Sequence, residues 1–290
     1  DLSGGITNGM SASDLLGQLD SSSPPGPIYT KCGVNDGPNN RGFYSPQAVA
    51  IDTNNHRLFV ADYSNNRVLV FNLDTNNNLV DRIPDNVLGQ PDFTTNTSAC
   101  SQTKMYEPSG LAYDSSNNRL FVADSSNHRT LVFDLSGGIT NGMPASNVLG
   151  QPDFTTCSGG CSQTKMRYPK GLAYDSSNNR LFVADTSNNR TLVFDLSGGI
   201  TNEMPASNVL GQPDFTTCTY ACSQTKMGSP KGLAYDSSNN RLFVADTSNS
   251  RTLVFDLSGG ITNGMSASNV LGQPDFTTCT YACSQTKMNG

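Results

Sequence analysis

Arg-Leu-Phe-Val-Ala-Asp stands at residues 57–62, 119–124, 180–185 and 241–246, at spacings of 62, 61 and 61 residues. A second marker, Val-Leu-Gly-Gln-Pro-Asp-Phe, ends at Phe93, Phe154, Phe215 and Phe276, at intervals of 61. Two markers sharing one period belong to one unit, and a period of this size signals a stacked or radial repeat rather than a single irregular domain.

Within the unit from Pro169 to Met227, four short runs read as strands: Gly171 to Tyr174, Leu181 to Ala184, Thr191 to Leu196, and Asn208 to Leu210 with its continuation towards Phe215. Polar turns at Asp175 to Asn179 and Asp185 to Asn189 separate the first three, and their Asp, Ser and Asn side chains bond their own backbone or tolerate left-handed conformations. Leu181, Phe182, Val183 and Ala184 are apolar without alternation, so both faces of that strand must be covered. Radial stacking of four-stranded antiparallel units covers both faces, and the reading is therefore an all-β propeller with about 61 residues per blade. A β-solenoid is the competing architecture, but its coils are usually shorter and seldom begin with three hairpin-linked strands. The expected divisions are residues 1–45 (an N-terminal outer strand and insertion loop) and blades at 46–107, 108–168, 169–229 and 230–290.

The order Pro169, Gly171 to Asp175, Leu181 to Asp185 and Asn189 to Asp195, repeated near Pro46, Pro108 and Pro230, resembles the NHL-repeat β-propeller family. The resemblance covers the chain from about Pro46 onward, although these units are longer than a typical family blade, with the excess between Gly198 and Lys231. It implies the NHL-like propeller fold, commonly with six blades where this chain has four. Some members are metal-dependent lyases or hydrolases whose His and acidic residues converge on the axial channel. Here only His56 and His128 exist, each in a polar turn, and no catalytic residue is carried over.

Composition narrows the function. The 290 residues are 35% hydrophobic and 14% charged, with 27 glycines, as expected of a turn-rich globular chain. No apolar run approaches the roughly 18–20 residues of a membrane helix. The net charge of −6 and the dispersed Lys and Arg argue against nucleic acid. The absence of Trp lowers the lectin reading. No nucleophile elbow, phosphate loop or His beside a Ser or Cys in motif context is present, and no cofactor is expected. Asp62, Asp124, Asp185 and Asp246 recur at strand ends, but each precedes an Arg by five residues (Arg67, Arg129, Arg190, Arg251), which favours turn-closing ion pairs over a ring of metal ligands.

Asp1 to Asp20 repeats the outer part of a unit, matching Asp134 to Asp153 almost residue for residue, with no inner strands before it. Four inner triplets and five outer segments leave one outer strand over. The chain is thus either a piece of a longer array or an assembling subunit whose spare strand pairs with another copy. Either relation is head to tail and builds rings or filaments. Near-identical repeats weigh towards a non-catalytic structural or interaction protein forming homo-oligomers or filaments. A propeller binding a peptide or glycan partner is the alternative, and an enzyme comes third.

Eight cysteines lie at Cys32, Cys100, Cys157, Cys161, Cys218, Cys222, Cys279 and Cys283. The three closely spaced pairs permit local disulfides, and Asn96, standing where a first cysteine would be, leaves Cys100 to pair with Cys32. Four bridges imply an oxidising, extracellular or cell-surface setting. Asn96 and Asn189 are N-glycosylation acceptors by pattern.

Overall fold

The structure is a computed structural model and describes residues 10–12, 14–29, 37–282 and 284–288. Blade 1 comprises β1 (Pro46–Asp52), β2 (Arg57–Asp62), β3 (Arg67–Asn72) and β4 (Asn86–Leu88). Blade 2 comprises β5 (Pro108–Asp114), β6 (Arg119–Asp124), β7 (Arg129–Asp134) and β8 (Asn147–Leu149). Blade 3 comprises β9 (Pro169–Asp175), β10 (Arg180–Asp185), β11 (Arg190–Asp195) and β12 (Asn208–Leu210). Blade 4 comprises β13 (Pro230–Asp236), β14 (Arg241–Asp246), β15 (Arg251–Asp256) and β16 (Asn269–Leu271). Each blade is an antiparallel meander in chain order. The first strands of all four line one cavity of about 350 Å³, which marks the axis of the array.

The turns follow from the Asp and Asn residues. Asp114 Oδ1 accepts the N–H groups of Ser116 and Asn117, and Asn118 closes the hairpin at φ 51°. Asp124 opens a single 3-10 turn, Ser125–Asn127, ended by left-handed His128. Asn66, Asn189 and Ser250 hold the same place in the other blades. Short polar residues suit this left-handed position because their side chains can bond locally.

Packing between blades supplies the core. We call the side of a blade towards the following unit its rear and the other its front. Ala112, Phe121, Ala123, Val132, Leu149 and Met166 on the rear of blade 2 interlock with Leu172, Leu181, Val183, Leu192, Phe194 and Val209 on the front of blade 3. The same positions join blades 1 and 2, and blades 3 and 4. A buried Phe is worth about 1.5–3 kcal/mol relative to exposure, so these interfaces carry much of the stability.

One expectation needs correction. The fourth strand stops at Leu210, and the Gly-Gln-Pro-Asp-Phe segment beyond it is a loop, because Gly211 takes φ 80° and Pro213 has no N–H to give a ladder. The N-terminal segment lies against the chain's own blade 1. Leu16 and Phe43 pack on the front of blade 1 with Val60, Leu69, Phe71 and Val87. Phe43 N–H donates to the Gly17 carbonyl at 3.1 Å, as Met288 N–H does to Gly272 at 3.3 Å. The segment therefore occupies the position of a preceding blade's fourth strand, while residues 1–9 lie outside the described residues.

Candidate interaction surfaces

The repeated Asp and Arg residues come together within each blade. Asp62–Arg67, Asp124–Arg129 and Asp185–Arg190 are paired at 2.7 Å, and Asp246–Arg251 at 2.6 Å, all with no side-chain exposure. Arg129 also donates to the carbonyls of Phe154, Ser101 and Lys104, and so ties the outer loop and the incoming linker to the blade. Burial pushes the Asp124 and Asp185 carboxyls up, against the pull of Arg129 and Arg190. These carboxylates are committed to the scaffold. Among the described residues no three His, Cys, Asp or Glu side chains group as a metal site.

The cysteines pair between units, not within one loop. The bridges are Cys100–Cys157, Cys161–Cys218 and Cys222–Cys279, each spanning 57 residues. The local Cys157–Cys161 type of closure, and the Cys100–Cys32 pairing, are therefore replaced. Stacking brings the end of one outer loop against the start of the next, with Cα atoms 6.2–6.5 Å apart at the three bridges. Cys32 and Cys283 lie outside the described residues. On the chain-entropy account each such bridge stabilises by about 4 kcal/mol, more than a local one.

Asn96 is exposed, with its amide donating to the Ser64 carbonyl at 3.2 Å and its Oδ1 accepting from Asn66 Nδ2 at 2.6 Å. Asn189 is engaged both ways, donating to the Cys218 carbonyl and accepting from Ser229 N–H. Lys104, Lys165, Lys226 and Lys287 each donate to a loop hydroxyl.

Between residues 105–165 and 166–226 the sequence differs at nine positions, and eight of them lie on or just beneath one rim, where the first strands begin. Tyr106 and Glu107 become Arg167 and Tyr168, Ser109 becomes Lys170, and His128 becomes Asn189. At this rim Lys170 Nζ sits 4.8 Å from the Tyr63 ring centroid. Burial lowers the Lys170 pKa, Glu107 opposes this, and Lys231 adds to it. Burial and a hydrogen bond to Glu107 push the Tyr63 hydroxyl up to about 12. Tyr44, Tyr106 and Tyr168 are exposed there. Comparison between repeats would have found this rim; a search for catalytic motifs passes over it.

The two ends of the array differ from its interior. On the rear of blade 4, Leu271 is 45% exposed, whereas Leu149 and Leu210 are fully buried. On the front of blade 1, Val49 and Ile51 are 67% and 49% exposed. The outer half of that front is covered by Leu16 and Phe43, and its inner half is open.

Against this geometry, the NHL repeat family model matches residues 43–71, 105–133, 166–194 and 227–255. These segments fall on the first three strands of the four blades, and the chain belongs to the NHL-repeat β-propellers. It is similar to NHL repeat-containing protein 2 of Gallus gallus, 29% identical over 163 residues, which is 52% of this chain and 21% of that protein. The chain thus spans about a fifth of that relative's length. Among solved structures it is similar to a nidogen/laminin complex (15% identity, TM-score 0.48, 86% of this chain and 68% of that one). It is also similar to a Bacteroides uniformis protein described as a candidate 6-phosphogluconolactonase (14% identity, TM-score 0.48, 76% of this chain and 55% of that one). As an NHL-repeat propeller the chain is of a kind suited to protein–protein interaction, and no helix among its described residues is long and apolar enough to cross a membrane.

Proposed function

We propose that this chain is a non-catalytic, extracellular scaffold whose blades join copies head to tail through the N-terminal strand. The observation that carries the reading is the place of that strand: it fills the slot of a preceding blade's fourth strand, yet no strand pairs with residues 14–16 among the described residues. An outer strand without its inner three is a template for strands from elsewhere. The three bridges between units support an oxidising setting. Light scattering and negative-stain microscopy test the assembly: defined oligomers or filaments that vanish when Asp1 to Asp20 are removed are expected, and a compact particle unchanged by the truncation would refute it. A stoichiometric metal required for a measured turnover would overturn the non-catalytic part.

A second reading, recognition of a peptide or glycan, is favoured by the concentration of blade-specific residues at one rim. Tyrosines offer rigid contact area there, and among the described residues Arg167, Lys170 and Lys231 outnumber the carboxylate Glu107. Alanine at Tyr106, Tyr168 or Lys170 should then reduce binding to immobilised candidates by at least about tenfold, the effect of losing ~1.4 kcal/mol. Equal effects from residues on the opposite rim would argue against it.

A further inference from the structure

Resting on the head-to-tail reading, we infer that the rear face of blade 4 docks on the front of blade 1 of a second copy, in the register of the internal blade contacts, with the incoming N-terminal strand replacing β16. The internal contacts specify what this face lacks. Phe59, Phe121 and Phe182 each stack on a tyrosine of the next blade at 5.8–5.9 Å, while the homologous Phe243 has no ring partner among the described residues. A side chain at Gly110 or Gly171 would strike the carbonyl oxygen of Lys170 or Lys231, whereas Gly232 meets only the Ala245 methyl at 3.6 Å. Thr186 Oγ1 donates to the Pro230 carbonyl at 2.7 Å, but Thr247 Oγ1 reaches only Ala245 of its own strand.

Blade 1 offers the complement. Pro46 and Gln47 hold the places of Pro230 and Lys231, and so present the carbonyls that Thr247 and Gly232 await. Ile51 holds the place of the stacking tyrosines and is half exposed, ready to cover Phe243. The two bare surfaces are the two sides of one repeated interface, separated between the ends of the chain.

The fourth-strand slot is where two copies would compete. Asp1 to Asp20 differs from Asp256 to Asp275 only at Asp14, Leu15 and Leu19, which stand for Asn269, Val270 and Pro274. Of these, Asp14 pairs with Arg82 of blade 1 at 2.7 Å. Arg67 holds the Gly42 carbonyl at 3.1 Å, beside the Gln18–Gly42 bridge. The N-terminal strand is thus fastened to its own blade 1 and arrives with it. Leu16, Leu15 and Asp14 then pair with Thr252, Leu253 and Val254 as Leu271, Val270 and Asn269 do within one copy. The ladder is conserved, and the newly covered apolar surface provides the driving force.

The test mixes two full-length proteins, one Ile51→Cys and one Phe243→Cys, in a glutathione redox buffer, with peptide mapping of the oxidised product. A disulfide joining the residue-51 peptide of one copy to the residue-243 peptide of another is expected, absent from either protein alone and lost when Asp1 to Asp20 are deleted. A Phe243→Lys chain should lose at least tenfold in association by light scattering. Because that side is only half buried in the isolated chain, the variant should still fold, at a small cost in stability that urea denaturation of the monomer reads separately. Association without the 51–243 linkage, or association that survives Phe243→Lys, overturns this inference and leaves the head-to-tail reading standing. A linkage that survives the deletion overturns the strand exchange, and no association at all overturns both.

Discussion

Blade 3 and blade 4 carry the same residues on their rear faces, and only one of the two faces is a core. Phe182 and Leu210 are fully buried against blade 4, while Phe243 is half buried and Leu271 is 45% exposed. Burial here is a property of position in the array and not of the unit, as expected of quasi-one-dimensional repeats whose stability is divided between intrinsic and neighbour terms.

Paired substitutions can break this comparison. Phe182→Ala should destabilise by about 3–5 kcal/mol through lost contact and a residual cavity, and Phe243→Ala by less than about 1.5 kcal/mol; urea denaturation of the monomeric chain compares them. Equal costs would mean that blade 4 is covered after all. Cys161→Ser should follow at about 2–4 kcal/mol under oxidising conditions and almost nothing under reducing ones, read from melting with and without reductant. Gly171→Ala should cost about 1–3 kcal/mol by crowding the Lys231 carbonyl, against a near-neutral Gly232→Ala. Blade 1 already carries Ala48 at this position, so a small shift can relieve the strain, and the effect ranks below the first two.

The smallest effect concerns pH. His128 Nδ1 accepts the Tyr168 N–H at 3.2 Å, the role that Asn189 Oδ1 plays for Ser229 one interface later. Burial, then the Arg167 charge, lowers the His128 pKa from its usual value. A depressed histidine pKa favours the neutral ring in the folded chain. Its contribution is full above the unfolded value near 6.5 and is lost as pH falls through the lower folded value. About one hydrogen bond, ~0.5–1.5 kcal/mol, is at stake. His128→Asn should flatten stability between pH 7 and 5, and an unchanged slope would place the titration elsewhere.

Much of the fold was legible because the repeat stated it several times. Each copy of Arg-Leu-Phe-Val-Ala-Asp became a second strand, and its terminal Asp found the Arg five residues on. The disulfides were misread because spacing along the chain stood in for spacing in space. Cys157 and Cys161 are neighbours in sequence but face different blades. Asn96 was the available signal: bridges running forward from unit to unit leave the first unit without a backward cysteine, and Asn96 stands there. The blade-specific rim is equally visible in the sequence, at the positions where successive repeats differ. The seat of the N-terminal strand needed coordinates, because its match to an outer strand does not say which blade it faces.

The three bridges also change how the chain would respond to tension. Pulled from its ends, the oxidised molecule carries load from Cys100 to Cys157, through three residues to Cys161, and onward to Cys279, so the strands inside each loop never pay out. Full extension then reaches roughly 400 Å, against ~1000 Å for the reduced chain at about 3.4 Å per residue. Thiol chemistry would thereby set the contour length of any thread built from these blades.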